Sequence, residues 1–166
     1  MALLGLADAA GVLDAAAAEP ITTKHLSISA SAPSDSVAPG GQVSLVLEIT
    51  PRPRMHVYAP GQKDLIPLSL KLAPLGAITA DPVQFPQPEK LEVKELGETQ
   101  LVYSRPFRLV QRVTLTKGSG RSRDPRVVVK GTLKYQACDD TICYAPVSVP
   151  VAWTIAVRRD RTDVQK

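Results

Sequence analysis

The sequence predicts an all-β fold, an antiparallel β-sandwich with a short helical appendage at its N-terminus. Three observations carry this. From residue 25 onward, apolar and polar residues alternate in short runs, the signature of strands with one buried face. Fifteen prolines and ten glycines punctuate those runs with turn signals. Beyond residue 20 no stretch has the apolar spacing of an amphipathic helix. A closed barrel is the other architecture this pattern allows, but the irregular run lengths fit a sandwich better.

The elements follow in order. Residues 1–20, MALLGLADAAGVLDAAAAEP, are Ala-rich and read as a helical or processed segment. They lack a basic n-region, and Asp8 and Asp14 interrupt the apolar run, so the segment makes a poor signal peptide. The alternating domain is expected over residues 21–158, with a solvated basic tail over 159–166. His25 to Ala30 is the first strand, with His25 expected on its surface. Ala38-Pro39-Gly40-Gly41 turns the chain. Gln42 to Thr50 then sets Val43, Leu45, Leu47 and Ile49 on one face.

Met55-His56-Val57-Tyr58 is short and strand-like, bounded by prolines. Leu68 to Leu72 and Phe107 to Leu115 alternate clearly, and Ile78 to Val83 does so weakly. Two prolines make Phe85 to Pro88 an edge or a loop. Glu89 to Gln100 is charged and is expected as a loop or irregular hairpin. Arg126 to Ala137 reads as one long strand, and Val147 to Val157 as the last.

Length and charge exclude several classes. A chain of 166 residues buries a core without needing disulfides. No apolar run is long enough to span a membrane. The net charge of +4 is concentrated around residues 117–130 and in the tail. No aromatics interleave with it to stack on bases, so nucleic acid is not an expected partner. There is no phosphate-binding loop or dinucleotide fingerprint, and no cofactor is expected.

The chemistry is concentrated in YQACDDTICYAP, residues 135–146, which holds both cysteines. Cys138 and Cys143 fall at the two ends of a predicted hairpin loop, within reach of a disulfide. A metal centre would need two more ligands. His25 and His56 are the available histidines and are not spaced as a ligand pair, so no metal site is expected. His56 is the one candidate base for cysteine hydrolysis, and no group to orient it is evident. A staple across so short a loop stabilises by at most about 2 kcal/mol. A pair that opens and closes is the stronger reading, with a structural staple as the alternative. Asp139 and Asp140 either raise the thiol pKa values by their charge or serve as turn formers.

Tyr135-Gln136-Ala137-Cys138, four residues, then Cys143-Tyr144-Ala145-Pro146 resembles the N-terminal periplasmic domain of the DsbD family of thiol–disulfide interchange proteins. Met55 to Tyr58, and Pro82 to Pro86 followed by a charged stretch and Gly97, resemble it in pattern. The resemblance spans about residues 22–157. It implies an immunoglobulin-like sandwich that takes electrons from a thioredoxin-like domain of the same system. The acceptor it implies is a periplasmic disulfide isomerase or a cytochrome c maturation thioredoxin.

It implies, further, that Cys143 forms mixed disulfides and Cys138 resolves them. Tyr58, Tyr135 and Tyr144 are expected either to pack around the pair and tune access or to fill the sandwich. Two departures stand out. Ala145 replaces a family proline, and Leu96 stands before Gly97 where the family's cap carries aromatics. The family's membrane and thioredoxin-like domains are absent from this chain, which is expected to be a fragment or a stand-alone relay. The rival reading is a non-enzymatic immunoglobulin-like interaction module with a local structural disulfide.

Overall fold

The computed structural model describes residues 19–33, 35–93, 97–119 and 125–159. The expected helical appendage and most of the basic tail lie outside them. Within them the chain forms twelve strands: β1 (Ile21–Thr22), β2 (Leu26–Ser31), β3 (Gln42–Pro51), β4 (His56–Tyr58), β5 (Ser69–Leu72), β6 (Ile78–Ala80), β7 (Glu89–Val93), β8 (Glu98–Tyr103), β9 (Phe107–Leu115), β10 (Arg126–Tyr135), β11 (Ala137–Cys138) and β12 (Val147–Ala156). Three sheets result, ordered β1-β2-β3-β9-β6, β12-β10-β5 and β11-β4-β8-β7. Every pairing between named strands is antiparallel. This is the expected antiparallel sandwich of immunoglobulin-like type.

The long strands behave as their alternation dictates. In β3 the buried positions are Val43, Leu45, Leu47 and Ile49. In β12 they are Val149, Val151, Trp153 and Ile155. Both sets belong to one hydrophobic cluster, because a period of two commits every second side chain to the same face. Trp153 also ties the layers together: its indole Nε1 donates to the Val46 carbonyl at 2.9 Å. That bond satisfies the polar edge of a ring that is otherwise buried.

Three expectations change. His25 is not on the surface. It is 6% exposed, because Tyr135 and Tyr144 pack against its ring. The charged stretch from Glu89 is not a loop: β7 and β8 pair from Glu89↔Val102 to Val93↔Glu98. Gly97, just before β8, sits at φ +64°, a backbone region that favours glycine. As an edge strand dense in charge, β7 is guarded against pairing with other chains.

Lastly, the run from Arg126 to Ala137 is two strands. β10 pairs with β12 and β5, whereas β11 joins β4 in another sheet. Gln136 sits at the changeover. Its amide donates to the Tyr144 carbonyl at 3.2 Å and accepts from the Ile66 backbone N–H at 3.1 Å. The step between sheets carries Cys138 out of the main core and onto the face of the small sheet.

Candidate redox site

The small sheet β11-β4-β8-β7 has two distinct faces. Val57, Tyr103 and Ala137 point into the main core. Tyr58, Val102 and Cys138 form a separate cluster on the other side, with Leu65 packed against it. Register explains the division. Val57 lies opposite both Tyr103 and Ala137, while Tyr58 lies opposite Val102 and Cys138 opposite His56. Side chains alternate along each strand, so His56, Tyr58, Val102 and Cys138 share one face.

Cys138 and Cys143 form a disulfide, with Cα atoms 4.0 Å apart. They face each other as an antiparallel bridge closing a tight turn. The turn is held by Asp139 N–H to the Ile142 carbonyl and Tyr144 N–H to the Ala137 carbonyl, each 2.9 Å. The Asp139 carboxylate organises the rest. It accepts the backbone N–H of Thr141 and of Ile142 and the Thr141 hydroxyl, each at 2.8 Å, and the Tyr144 hydroxyl at 2.7 Å.

The Tyr144 hydroxyl, then the Ile142 and Thr141 donors, hold the Asp139 carboxyl well below the usual carboxylate range. The same bond pushes the Tyr144 hydroxyl up. Asp139 thus makes the hydrogen bonds of a turn former. Asp140 pairs with Arg54 at 2.8 Å, both side chains exposed.

The two sulfurs differ. Cys138 is 2% exposed, whereas Cys143 is exposed. Beneath them lies Tyr58, 1% exposed, its hydroxyl 2.9 Å from Cys138 Sγ and 3.4 Å from Cys143 Sγ. A disulfide sulfur has no proton, so the hydroxyl is the donor. Burial raises the Tyr58 pKa and keeps that proton in place. The cystine opens onto a groove of about 590 Å³. One wall is the turn, with Ile142 at its rim, 54% exposed. The other is β7, which contributes Glu89, Leu91 and Glu92.

A family model for the N-terminal region of the thiol:disulfide interchange protein DsbD matches residues 27–152. The chain belongs to this DsbD N-terminal family. Among solved structures, the N-terminal periplasmic domain of ScsB from Proteus mirabilis aligns with a TM-score of 0.54 at 13% identity, over 89% of this chain and 54% of that one. The chain thus spans about half of that structure's length, and the likeness is one of fold. The GAE domain of yeast GGA1 aligns at a TM-score of 0.43 and 12% identity, over 80% of this chain and 94% of that one. No curated protein matches significantly. Membership makes this a domain of DsbD N-terminal type, and Cys138–Cys143 is a disulfide it carries.

The residues singled out from the sequence have separate fates in this DsbD-type domain. Tyr58 lies against both sulfurs. Tyr144 anchors the turn through Asp139. Tyr135 sits in the main core, its hydroxyl 2.9 Å from Thr23 Oγ1 and 3.5 Å from His25 Nδ1, one step removed from the disulfide. Leu96 lies outside the described residues. Among the described residues no cluster is suited to a metal ion.

Sequence reasoning missed the β7 wall, because its side chains face the cystine across a hairpin whose pairing is not written in any alternation. It also passed over the position of His56 on the cystine face. The available signal was the spacing His56-Val57-Tyr58, which sets both rings on one side of a strand.

Proposed function

We propose that this domain relays electrons by thiol–disulfide exchange in the periplasm, taking them from a thioredoxin-like donor and passing them to disulfide-bearing partners. The observation that carries the reading is the asymmetry of the cystine, one sulfur open to the groove and the other buried under the Tyr58 hydroxyl.

The incoming thiolate attacks the exposed Cys143 Sγ. The S–S bond breaks and its electron pair passes to Cys138 Sγ, where the Tyr58 O–H stabilises the thiolate by a charge-assisted hydrogen bond. A mixed disulfide now joins the donor to Cys143. The donor's second thiol attacks its own sulfur in that bond, leaving as a disulfide and releasing Cys143. The donor is oxidised, the domain is reduced, and the donor's two protons end on Cys138 and Cys143. In the second half, Cys143 attacks the acceptor's disulfide and Cys138 resolves the product. Exposed Ile142 and Leu91 flank the groove and supply apolar contact to a docking partner.

The test uses a thioredoxin-fold partner with one active-site cysteine, activated as a mixed disulfide with thionitrobenzoate. Cys138→Ala is expected to displace the chromophore and form a stable mixed disulfide, and Cys143→Ala is not. The reverse pattern would swap the two roles. Failure of both variants would rule out the relay and favour a binding module with a local staple.

A further inference from the structure

The exchange chemistry above uses Cys138, Cys143 and Tyr58 and leaves one buried polar side chain of the site without a task. His56 is 9% exposed and lines the groove. It lies directly opposite Cys138 in the β4–β11 pairing, where cross-strand Cβ atoms stand about 4.5–5.5 Å apart. Its ring meets Tyr58 edge-on, with centroids 5.6 Å apart and planes at 84°, and Tyr58 is the residue whose hydroxyl touches both sulfurs. His56 Nε2 is buried and hydrogen-bonds to nothing among the described residues. A buried polar atom left unpaired is a free-energy cost, and such an atom is uncommon enough to need an explanation.

The disulfide state itself supplies the explanation. A cystine has no protons, whereas the dithiol brings two S–H donors to the same face. Burial holds the His56 pKa below its ordinary value, against the opposing pull of Asp140 and then Asp139. The imidazole is therefore neutral near pH 7 and has one ring nitrogen able to accept.

We propose that His56 poises the redox couple: its Nε2, unpartnered while Cys138 is in the disulfide, accepts a hydrogen bond from the Cys138 thiol once the disulfide opens. The bond exists in the reduced state alone, so it favours the dithiol. Reduction adds two electrons and two protons, and the proton that reaches Cys138 is the one donated to His56. His56 is a positioning residue in this scheme. It holds the resolving thiol and sets how readily the domain gives up its electrons. The inference rests on reading Cys138–Cys143 as a working couple.

The first experiment equilibrates wild type, His56→Phe and His56→Gln with glutathione buffers and measures the fraction oxidised. Phe keeps a ring against Tyr58 without a nitrogen, and Gln restores an acceptor. The expected result is an equilibrium constant shifted about tenfold toward the disulfide in His56→Phe and within about threefold of wild type in His56→Gln. A constant for His56→Phe within about twofold of wild type overturns the proposal.

Should His56→Phe not fold, the wild type decides through ring-nitrogen NMR of its two histidines before and after reduction with excess dithiothreitol. His56 Nε2 is expected to shift more than the ring of His25, which touches the turn through Tyr144. No change at His56, or equal change at both rings, overturns the proposal. Dithiothreitol opens the cystine whether or not a protein partner does. A relay that fails the trapping test and a histidine that fails this one are therefore told apart.

Discussion

The long strands of the sandwich and the small sheet β11-β4-β8-β7 obey different rules. In β3, β10 and β12 every second residue is buried in one shared core, and the buried residues are almost all apolar. In β4 all three residues are buried: Val57 faces the core, while His56 and Tyr58 face the cystine. The first region gains stability by removing aliphatic surface from water. The second buries an imidazole, a phenol and one sulfur of the disulfide on one face and leaves Nε2 of the imidazole unpaired among the described residues. The comparison teaches where the chain stores stability and where it stores reactivity, and substitutions in the two regions should separate these.

The largest effect is expected in the sandwich. Trp153→Ala removes a buried ring and its bond to Val46, and should lower unfolding stability by about 3–5 kcal/mol. Chemical denaturation measures this. A loss below about 1 kcal/mol would mean that the two layers are not held as described.

Next comes Tyr58→Phe, which keeps the ring and deletes the donor to both sulfurs. Exchange with a small thiol should slow by roughly ten- to a hundredfold, since a hydrogen bond to a charged sulfur contributes about 1.5–3 kcal/mol. Stability of the oxidised form should change by no more than about 1.5 kcal/mol. The opposite split, a large stability loss with unchanged exchange, would place Tyr58 with the core and erase the contrast.

Asp139→Asn probes the turn. The folded-state pKa of Asp139 is depressed, so its contribution to stability is fully present above the unfolded value of about 3.9 and is lost as pH falls through the folded value. Replacement by Asn should lower stability at neutral pH and flatten the acid limb of the stability–pH curve. An unchanged acid limb would mean that these hydrogen bonds do not favour the carboxylate over the protonated acid.

The smallest effect belongs to Arg54→Ala. Its pair with Asp140 is exposed on both sides, at 75% and 62%, and thermal melts should move by an equivalent of less than about 1 kcal/mol.

The same contrast explains what the sequence revealed. The long strands were legible because one buried face imposes a period of two, and Val43 to Ile49 and Val147 to Ile155 display it openly. The two cysteines and the turn between them were legible as a local motif, and the resemblance around them pointed to the family. What was hidden depends on contacts far apart in sequence. His25 is covered by Tyr135 and Tyr144, more than a hundred residues away, so an alternating stretch alone placed it outside. The break at Gln136 interrupts no alternation; it is set by bonds to Ile66 and Tyr144. The β7 wall faces the cystine through a hairpin whose first strand is mostly charged, a pattern that reads equally as loop.

The central claim is that Cys138–Cys143 is a working couple and not a staple, and one measurement addresses it most directly. The purified domain is equilibrated in thiol buffers of graded potential, and the oxidised fraction is quantified while circular dichroism follows the fold. A working couple has its midpoint in the range of thioredoxin-fold couples, about −120 to −270 mV, with the sandwich intact in both states, and this is the expected result. A midpoint below about −300 mV, with the fold lost on reduction, would contradict it and make the cystine structural.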